Sequence, residues 1–440
     1  MAEVTHLVEQ PTALRGTFAE RFLALPREVL ITVMRDKQRY FAVEDEQGRL
    51  LPNFITVRNG DAEHLEIVQK GNAHVLVARF SDAEFFYQAD IKQPLESYLE
   101  RLSTLTFQEK LGSMLDKNNR VARLVRPFGE MLGAADDLIE VAERAARLAK
   151  ADLGTHMVVE LTSLQGTMGR IYALQGGVTP EVAVAISDHW LPRGAGDVLP
   201  ASPAGVLLAL LDRLDSLVGL FAAGLAPTGS ADPFGLRRQA LGLILILIDR
   251  VLPLNLRGAV QLIGRGQPLE VSLEQQESVL EFIGGRLRVW LQEQGQQHDV
   301  IEAVLAEQAQ NPARAVAAVE QLTTWVQRPD WEPILDAFAR CVRILPDGEL
   351  YTLRPAAWVA PAEAALYEAY QRISDHLPQS YNIGEFLAAF ESAVPTVNRF
   401  FEELMVNDPD PALRENRLAL LQAVTGLARG RADFSKLNNF

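Results

Sequence analysis

The residues best suited to hold a ligand are arginines set next to each other or one turn apart, just behind helix-start signals. Pro227-Thr228-Gly229-Ser230-Ala231-Asp232-Pro233-Phe234-Gly235-Leu236-Arg237-Arg238 places a turn, a helix start and an arginine pair in succession. Asp232 followed by Pro233 reads as an N-cap with proline at the first helical position. The helix predicted from there runs through the apolar segment Ala240 to Ile248. Arg237 and Arg238 then sit at its N-terminal end, where the helix dipole disfavours cations. An anion is expected beside them. It is either a carboxylate of the preceding helix, where Asp212 and Asp215 stand, or a phosphate. The two side chains lie about 100° apart around the helix, so one can serve the fold while its neighbour faces a ligand.

Two further sets repeat the theme. Arg340 and Arg343 fall one turn apart, a geometry suited to phosphate. Asp336, four residues before Arg340, offers an ordinary ion pair instead; Asp347 is a poor partner for Arg343, because Pro346 should end the helix between them. Near the C-terminus, Asp410 and Pro411 again read as an N-cap and first helical residue, which leaves Arg414 and Arg417 one turn apart with Asn416 between. Planar side chains with several donors suit phosphates and unpaired bases.

The whole chain, 440 residues with a formal net charge of -15, argues against a uniformly basic nucleic-acid footprint. The average conceals a basic stretch, however. Arg101 to Arg126 holds six basic residues against two acidic ones. The single cysteine, Cys341, excludes a disulfide framework and fits a reducing compartment. The longest apolar run, Ala240 to Ile248, is too short to span a bilayer, and no signal segment opens the chain, so a soluble, cytoplasmic protein with no membrane partner is expected.

The elements that position these residues are mostly helices. Strands are predicted at Val29–Met34, Tyr40–Val43 and Asn53–Val57, with a turn at Asp45–Gly48, giving a small antiparallel sheet. Lys37, Arg39 and Tyr40 on this region are either solvated or RNA-facing, and Phe85, Phe86 and Tyr87 read as core. From Pro94 to about Arg250 the pattern is helical, including Phe107–Gly112 and Ala142–Met157. Gly166 and Gly169 permit a close approach of neighbours. Ser202-Pro203 starts a helix through Phe221 that is apolar nearly all round and hence central, and Asp212 and Asp215 within it must be paired if buried. Ser272 with Gln275 signals another helix start. His298-Asp299 is a literal His-Asp dipeptide, with Asp299 read as the N-cap of Val300–Ala306 and His298 as incidental to any metal.

The Thr228-to-Arg238 run resembles that of the β subunit of bacterial tetrameric glycyl-tRNA synthetases. Asp36–Phe41, Asp82–Phe86, Leu164–Arg170, Asp299–Ala306 and the closing Ala432–Leu437 resemble the same family, and the resemblance covers essentially the whole chain. It implies a mainly α protein in four parts: a β-containing region at 1–93, an HD-like helical domain at 94–255, a helical linker region at 256–330 and an anticodon-binding helical bundle at 331–440. The HD-type bundle is named for a metal-binding His-Asp pair in phosphohydrolases. Here the histidine position is Ala151, while Asp152 and Asp212 keep carboxylates, so the metal site is degenerate. The resemblance implies a tRNA-binding subunit of glycine–tRNA ligase with no catalytic residue and no cofactor of its own; ATP and Mg would lie in a separate α subunit, the expected partner alongside tRNA(Gly). Arg237, Arg238, Arg340, Arg343, Arg414, Asn416 and Arg417 are the candidate tRNA contacts. Two alternatives stand beside this: an HD-type metal-dependent phosphohydrolase, or an interaction scaffold that binds no RNA. The family's β subunit has a further N-terminal region, so the chain reads as an engineered truncation or a natural short form that keeps the natural C-terminus.

Overall fold

The computed structural model describes residues 6–346, 348–377 and 381–440. The chain is mainly helical, with a small antiparallel sheet. It forms two compact units, one of residues 1–226 with 262–271, the other of 227–261 with 272–440. No described helix is long and apolar enough to cross a membrane.

The first unit opens with β1 (Pro11–Thr17), α1 (Arg27–Thr32), β2 (Phe41–Glu44) and β3 (Leu50–Asn59), and the sheet order is β1-β3-β2, all antiparallel. Gly16 of β1 lies flat against the Phe54 ring; a Cβ there would meet that ring at 2.1 Å. The strand expected at Val29–Met34 is instead α1 followed by a π turn over Val33–Lys37. Its buried residues Val29, Leu30, Val33 and Met34 recur at a helical period, so packing overrides the β-branched composition. Tyr40 is buried and stacks on Phe54, ring centres 4.9 Å apart, which removes it from the surface. Lys37 faces Glu160 at 3.6 Å.

The long helix α2 (Leu65–Asp90) buries Tyr87 but exposes Phe85, contrary to the expected aromatic core. Phe107–Gly112 is not helix but the hairpin β4 (Thr106–Gln108) and β5 (Gly112–Ser113), turned by Gly112 at φ +87. Then follow α3 (Met114–Met131), α4 (Asp136–Leu148), α5 (His156–Glu160), α6 (Thr167–Gln175), α7 (Pro180–Asp188) and α8 (Pro203–Ala222). The helix expected over Ala142–Met157 is therefore broken between α4 and α5. Ser202 caps α8 as predicted, its side chain accepting from Gly205 N, and α8 is buried along nearly its whole length.

The second unit carries α9 (Leu236–Asp249), α10 (Leu256–Gly266) as far as Gln261, α11 (Leu273–Glu293), α12 (His298–Gln308), α13 (Pro312–Val326), α14 (Trp331–Arg343), α15 (Pro361–His376), α16 (Ile383–Glu391), α17 (Val394–Glu403) and α18 (Pro411–Gly426). Ser272 and Gln275 form the expected capping box of α11. Asp299, expected as an N-cap, lies instead in the first turn of α12, and its carboxylate accepts from Asn438 N at 3.0 Å. Asp410 caps α18 as expected, accepting from Ala412 N at 2.8 Å.

Candidate nucleic-acid interface

The charged residues of the first unit divide by helix face. A capping box of Ser113 and Asp116 fixes the start of α3. From there Lys117, Arg120, Val121 and Leu124 fall on one side and are buried, while Asn119, Arg123 and Arg126 fall on the other.

The inward set meets α8. Lys117 Nζ lies 3.0 Å from Asp215 Oδ2 and 3.1 Å from Asp212 Oδ1, and donates to Ser216 Oγ at 2.8 Å. Arg120 grips Asp215 with Nε at 2.6 Å and Nη2 at 3.0 Å, a bidentate pair. Beyond the end of α4, Lys150 Nζ stands 3.2 Å from Asp212 Oδ2, 3.2 Å from His189 Nε2 and 4.2 Å above the Trp190 ring. His189 Nδ1 lies 2.6 Å from Ile186 O, so Nδ1 carries the proton and Nε2 accepts from the ammonium. Burial, reinforced by the Lys150 charge, pushes His189 down to about 3. Burial works against the charged form of Asp212, yet Lys117 and Lys150 hold its carboxyl well below the usual range.

This network lies over the positions singled out as degenerate metal ligands. Ala151 is buried; Asp152 turns away to accept from Gly166 N at 2.6 Å and Gly169 N at 3.0 Å. Burial pushes Asp152 up to about 6. Both glycines are required here. A Cβ on Gly169 would meet Ile186 at 2.8 Å, and Gly166 has φ +78 with the Trp190 ring against it. The cation between Asp212 and His189 is the side chain of Lys150. Neither Lys150 nor His189 stood out in the sequence. Lys150 had one signal, a lone cation in the otherwise apolar run Leu148-Ala149-Lys150-Ala151; His189 had none.

The outward set lines an open depression between α3 and α4, a cavity of about 1370 Å³. Lys110, Arg123, Arg126 and Arg147 are among its walls, with Glu109, Glu130 and Glu143. Arg126 is tied to Glu143 at 3.0 Å and Asp136 at 3.1 Å. Arg123 is exposed, and its Nε donates to Asn119 O of its own helix at 3.3 Å. Arg144 and Arg147 are exposed one turn apart on α4. Of the six basic residues counted from Arg101 to Arg126, Lys117 and Arg120 are internal and Arg101 donates to Gly154 O at 2.8 Å. The sequence reading missed Arg144 and Arg147, whose i,i+3 spacing was visible as Arg-Ala-Ala-Arg.

The predicted arginine sets fare unequally. Helix α9 starts at Leu236 behind Gly235 at φ +64, one turn later than Pro233; Asp232 still caps it, accepting from Leu236 N at 2.7 Å and Arg237 N at 2.9 Å. Arg237 folds back onto Gly229 O at 2.6 Å, whereas Arg238 is exposed. The carboxylates expected for them, Asp212 and Asp215, are held by Lys117, Arg120 and Lys150. Arg340 reaches Asn398 Oδ1 at 3.1 Å and lies 4.5 Å over Phe401, rather than pairing with Asp336. Arg343 is exposed, 5.6 Å from the Phe440 ring centre; Asp347 lies outside the described residues. In α18 only Arg414 stays partly at the surface, donating to Asp408 O at 3.3 Å. Arg417 is buried and bonds Glu363 at 2.7 Å, Asp408 at 2.8 Å and Met405 O at 2.9 Å. Asn416 is buried and clamps the backbone of Arg354, accepting at 2.8 Å and donating at 3.1 Å. Both lie on the inner face of α18, with donors already engaged, so neither is open to RNA.

The sequence matches the family model described as glycyl-tRNA synthetase beta subunit over residues 1–306. It is 42% identical to the glycine–tRNA ligase beta subunit of Moorella thermoacetica, across 99% of this chain and 64% of that protein. The beta subunit of Syntrophotalea carbinolica gives the same identity and coverage. A chloroplastic/mitochondrial glycine–tRNA ligase of Arabidopsis thaliana is 40% identical across all of this chain and 41% of its own length. The chain thus spans about 64% of the bacterial relatives it matches.

Proposed function

The chain belongs to the glycyl-tRNA synthetase beta subunit family, and from that membership we propose that it is the tRNA-binding part of a glycine–tRNA ligase. It holds tRNA(Gly) so that the acceptor end reaches an active site on a separate α subunit, where ATP and Mg are bound and glycine is joined. This chain then supplies position rather than a catalytic group, and fixing the reacting ends in register is a large part of any such rate enhancement. The observation that carries the reading is the open depression between α3 and α4, whose walls include Lys110, Arg123, Arg126 and Arg147. Exposed guanidinium groups around a concave surface fit a phosphate backbone. The HD-like helical domain, residues 94–255, is read as the acceptor side, and the bundle of residues 331–440 as the anticodon side. Arg238, Arg343 and Arg414 are the arginines of the original sets that keep surface for RNA; Arg237 and Arg340 contribute at their margins.

The phosphohydrolase alternative gains nothing from the site. The Lys150 ammonium sits on Asp212, and Asp152 is taken up by the Gly166 and Gly169 N–H groups, so neither retained carboxylate is open to a divalent ion.

The test is binding of tRNA(Gly) and a non-cognate tRNA across a salt series, with and without the α subunit. The double variant Arg123→Gln, Arg147→Gln should weaken binding and lower the log–log salt slope by about 1.4–1.8, two phosphate contacts' worth. Absence of tRNA binding at low salt, with the α subunit present, would overturn the reading.

A further inference from the structure

The segment between α14 and α15 has a construction that its sequence did not announce. Gln422 and Asn416 of α18 both use side-chain amides to clamp its backbone. Gln422 accepts from Tyr351 N at 3.0 Å and donates to Glu349 O at 2.6 Å; Asn416 does the same to both backbone groups of Arg354. Further on, Glu363 accepts from Val359 N at 2.8 Å and Ala360 N at 2.9 Å, and is itself held by Arg417 at 2.7 Å. A buried amide, a half-buried one and an ion pair therefore fix a strip on which Leu350 is 93% exposed and Arg354 is exposed. Such clamping goes beyond what an idle connection needs.

The strip ends at a row of three aromatic rings. Trp358 lies 5.9 Å from Tyr367, and Tyr367 lies 6.1 Å from Tyr370 in a near-parallel stack. All three are half-buried. The inward residues of α15 are Ala362, Leu366, Ala369 and Ile373, so these tyrosines stand on its flank and not in the core. Arg354 precedes Trp358 by one short 3-10 turn over Pro355–Ala357.

We infer that the Trp358–Tyr367–Tyr370 row is a stacking platform for unpaired nucleotides of the bound RNA, with Arg354 placed for their phosphates. Every base presents a π face, so a partly exposed aromatic row takes single-stranded RNA without needing a particular sequence, and flanking guanidinium groups match the backbone charge. A double helix offers no free base faces to such a row. Asn416 and Arg417 enter as positioning residues that hold the strip and Glu363 in place. The inference rests on the tRNA-binding reading above.

The experiment measures binding of full-length tRNA(Gly), and of a single-stranded RNA carrying 2-aminopurine, to the intact chain and to Trp358→Ala, Tyr367→Ala and Trp358→Phe. Loss of one ring should weaken tRNA binding about 5- to 100-fold with the salt slope unchanged, because stacking releases no counterions. Trp358→Phe, which keeps a ring, should stay within about threefold of the parent, and 2-aminopurine emission should be quenched by the parent but not by the alanine variants. Parent-like binding and quenching by both alanine variants would overturn the platform while leaving the Arg123 and Arg147 surface standing. Failure of the parent chain to bind any RNA would overturn both.

Discussion

Replacing Lys150 by methionine removes a buried ammonium and keeps most of the stem, so it isolates what the charge does. Lys150 Nζ serves Asp212 and His189 at 3.2 Å each. Removing one partner of a buried ion pair costs about 3–5 kcal/mol, because the other charge stays buried without compensation. Lys117 remains 3.1 Å from Asp212, so the lower end, about 3 kcal/mol, is expected at pH 7. The deficit should also depend on pH. In the parent, His189 titrates at about 3 when folded, below its ordinary 6.5. The unfolded chain therefore binds more protons as pH falls from 7 to 5, and this group alone lowers the parent's stability by about 2 kcal/mol over that interval. Without Lys150 the repelling charge on His189 is gone while Asp212 still favours the imidazolium, but burial, the larger cause, still holds the group below its ordinary value, so the variant escapes only part of that loss. The gap between the two proteins should thus narrow on going from pH 7 to pH 5, by less than the full difference of about 2 kcal/mol. Urea unfolding of the first unit across that range, followed by fluorescence with Trp190 beside the substitution as the local reporter, measures both numbers. A variant as stable as the parent at pH 7, or a gap unchanged at pH 5, would show that the ammonium does not hold this site together.

The same region yields two more expectations. Asp152 titrates at about 6 when folded against 3.8 ordinarily, so its contribution is full below 3.8 and lost as pH rises through 6. The parent minus Asp152→Asn stability difference should therefore fall by about 2.4 kcal/mol between pH 4 and pH 7, and a flat difference in urea midpoints refutes it. Gly166→Ala puts a Cβ 2.3 Å from Trp190 Cδ1 at a residue with φ +78, and should cost about 2–4 kcal/mol in thermal or urea unfolding; a neutral substitution would mean the ring moves freely.

Three helix starts decided by neighbours in sequence were legible, while the helix behind Asp232 starts a turn late and Asp299 lies within its helix. Ser202, Ser272 and Asp410 act through backbone N–H groups two or three residues on, and all three caps formed as read. Local reading failed where a distant partner decided. Val29–Met34 has strand composition, but the core it meets selects a helix; Phe107–Gly112 has helical spacing, but Gly112 at positive φ turns a hairpin. The candidate site shows the same split. That Asp212 and Asp215 need cations follows from an apolar helix alone, yet that the cations are Lys117, Arg120 and Lys150, about 60–100 residues earlier, requires the fold.

The arginine sets show why spacing by itself could not name the RNA contacts. An i,i+3 pair is one turn apart whether the face is turned outward or inward, and only the partners tell which. Arg414 and Arg417 share a helix face by count, but the burial of Asn416 through Leu421 draws Arg417 inside, where Glu363 and Asp408 take its donors. Arg123 and Arg147 have no carboxylate so placed among the described residues, and they remain at the surface. In a chain with a net charge of -15, an arginine near a carboxylate is the ordinary outcome. The guanidinium groups left without one are therefore the informative residues. Arg123 and Arg147 stand on the α3–α4 depression and Arg354 precedes the aromatic row, and these two places are where RNA should be sought.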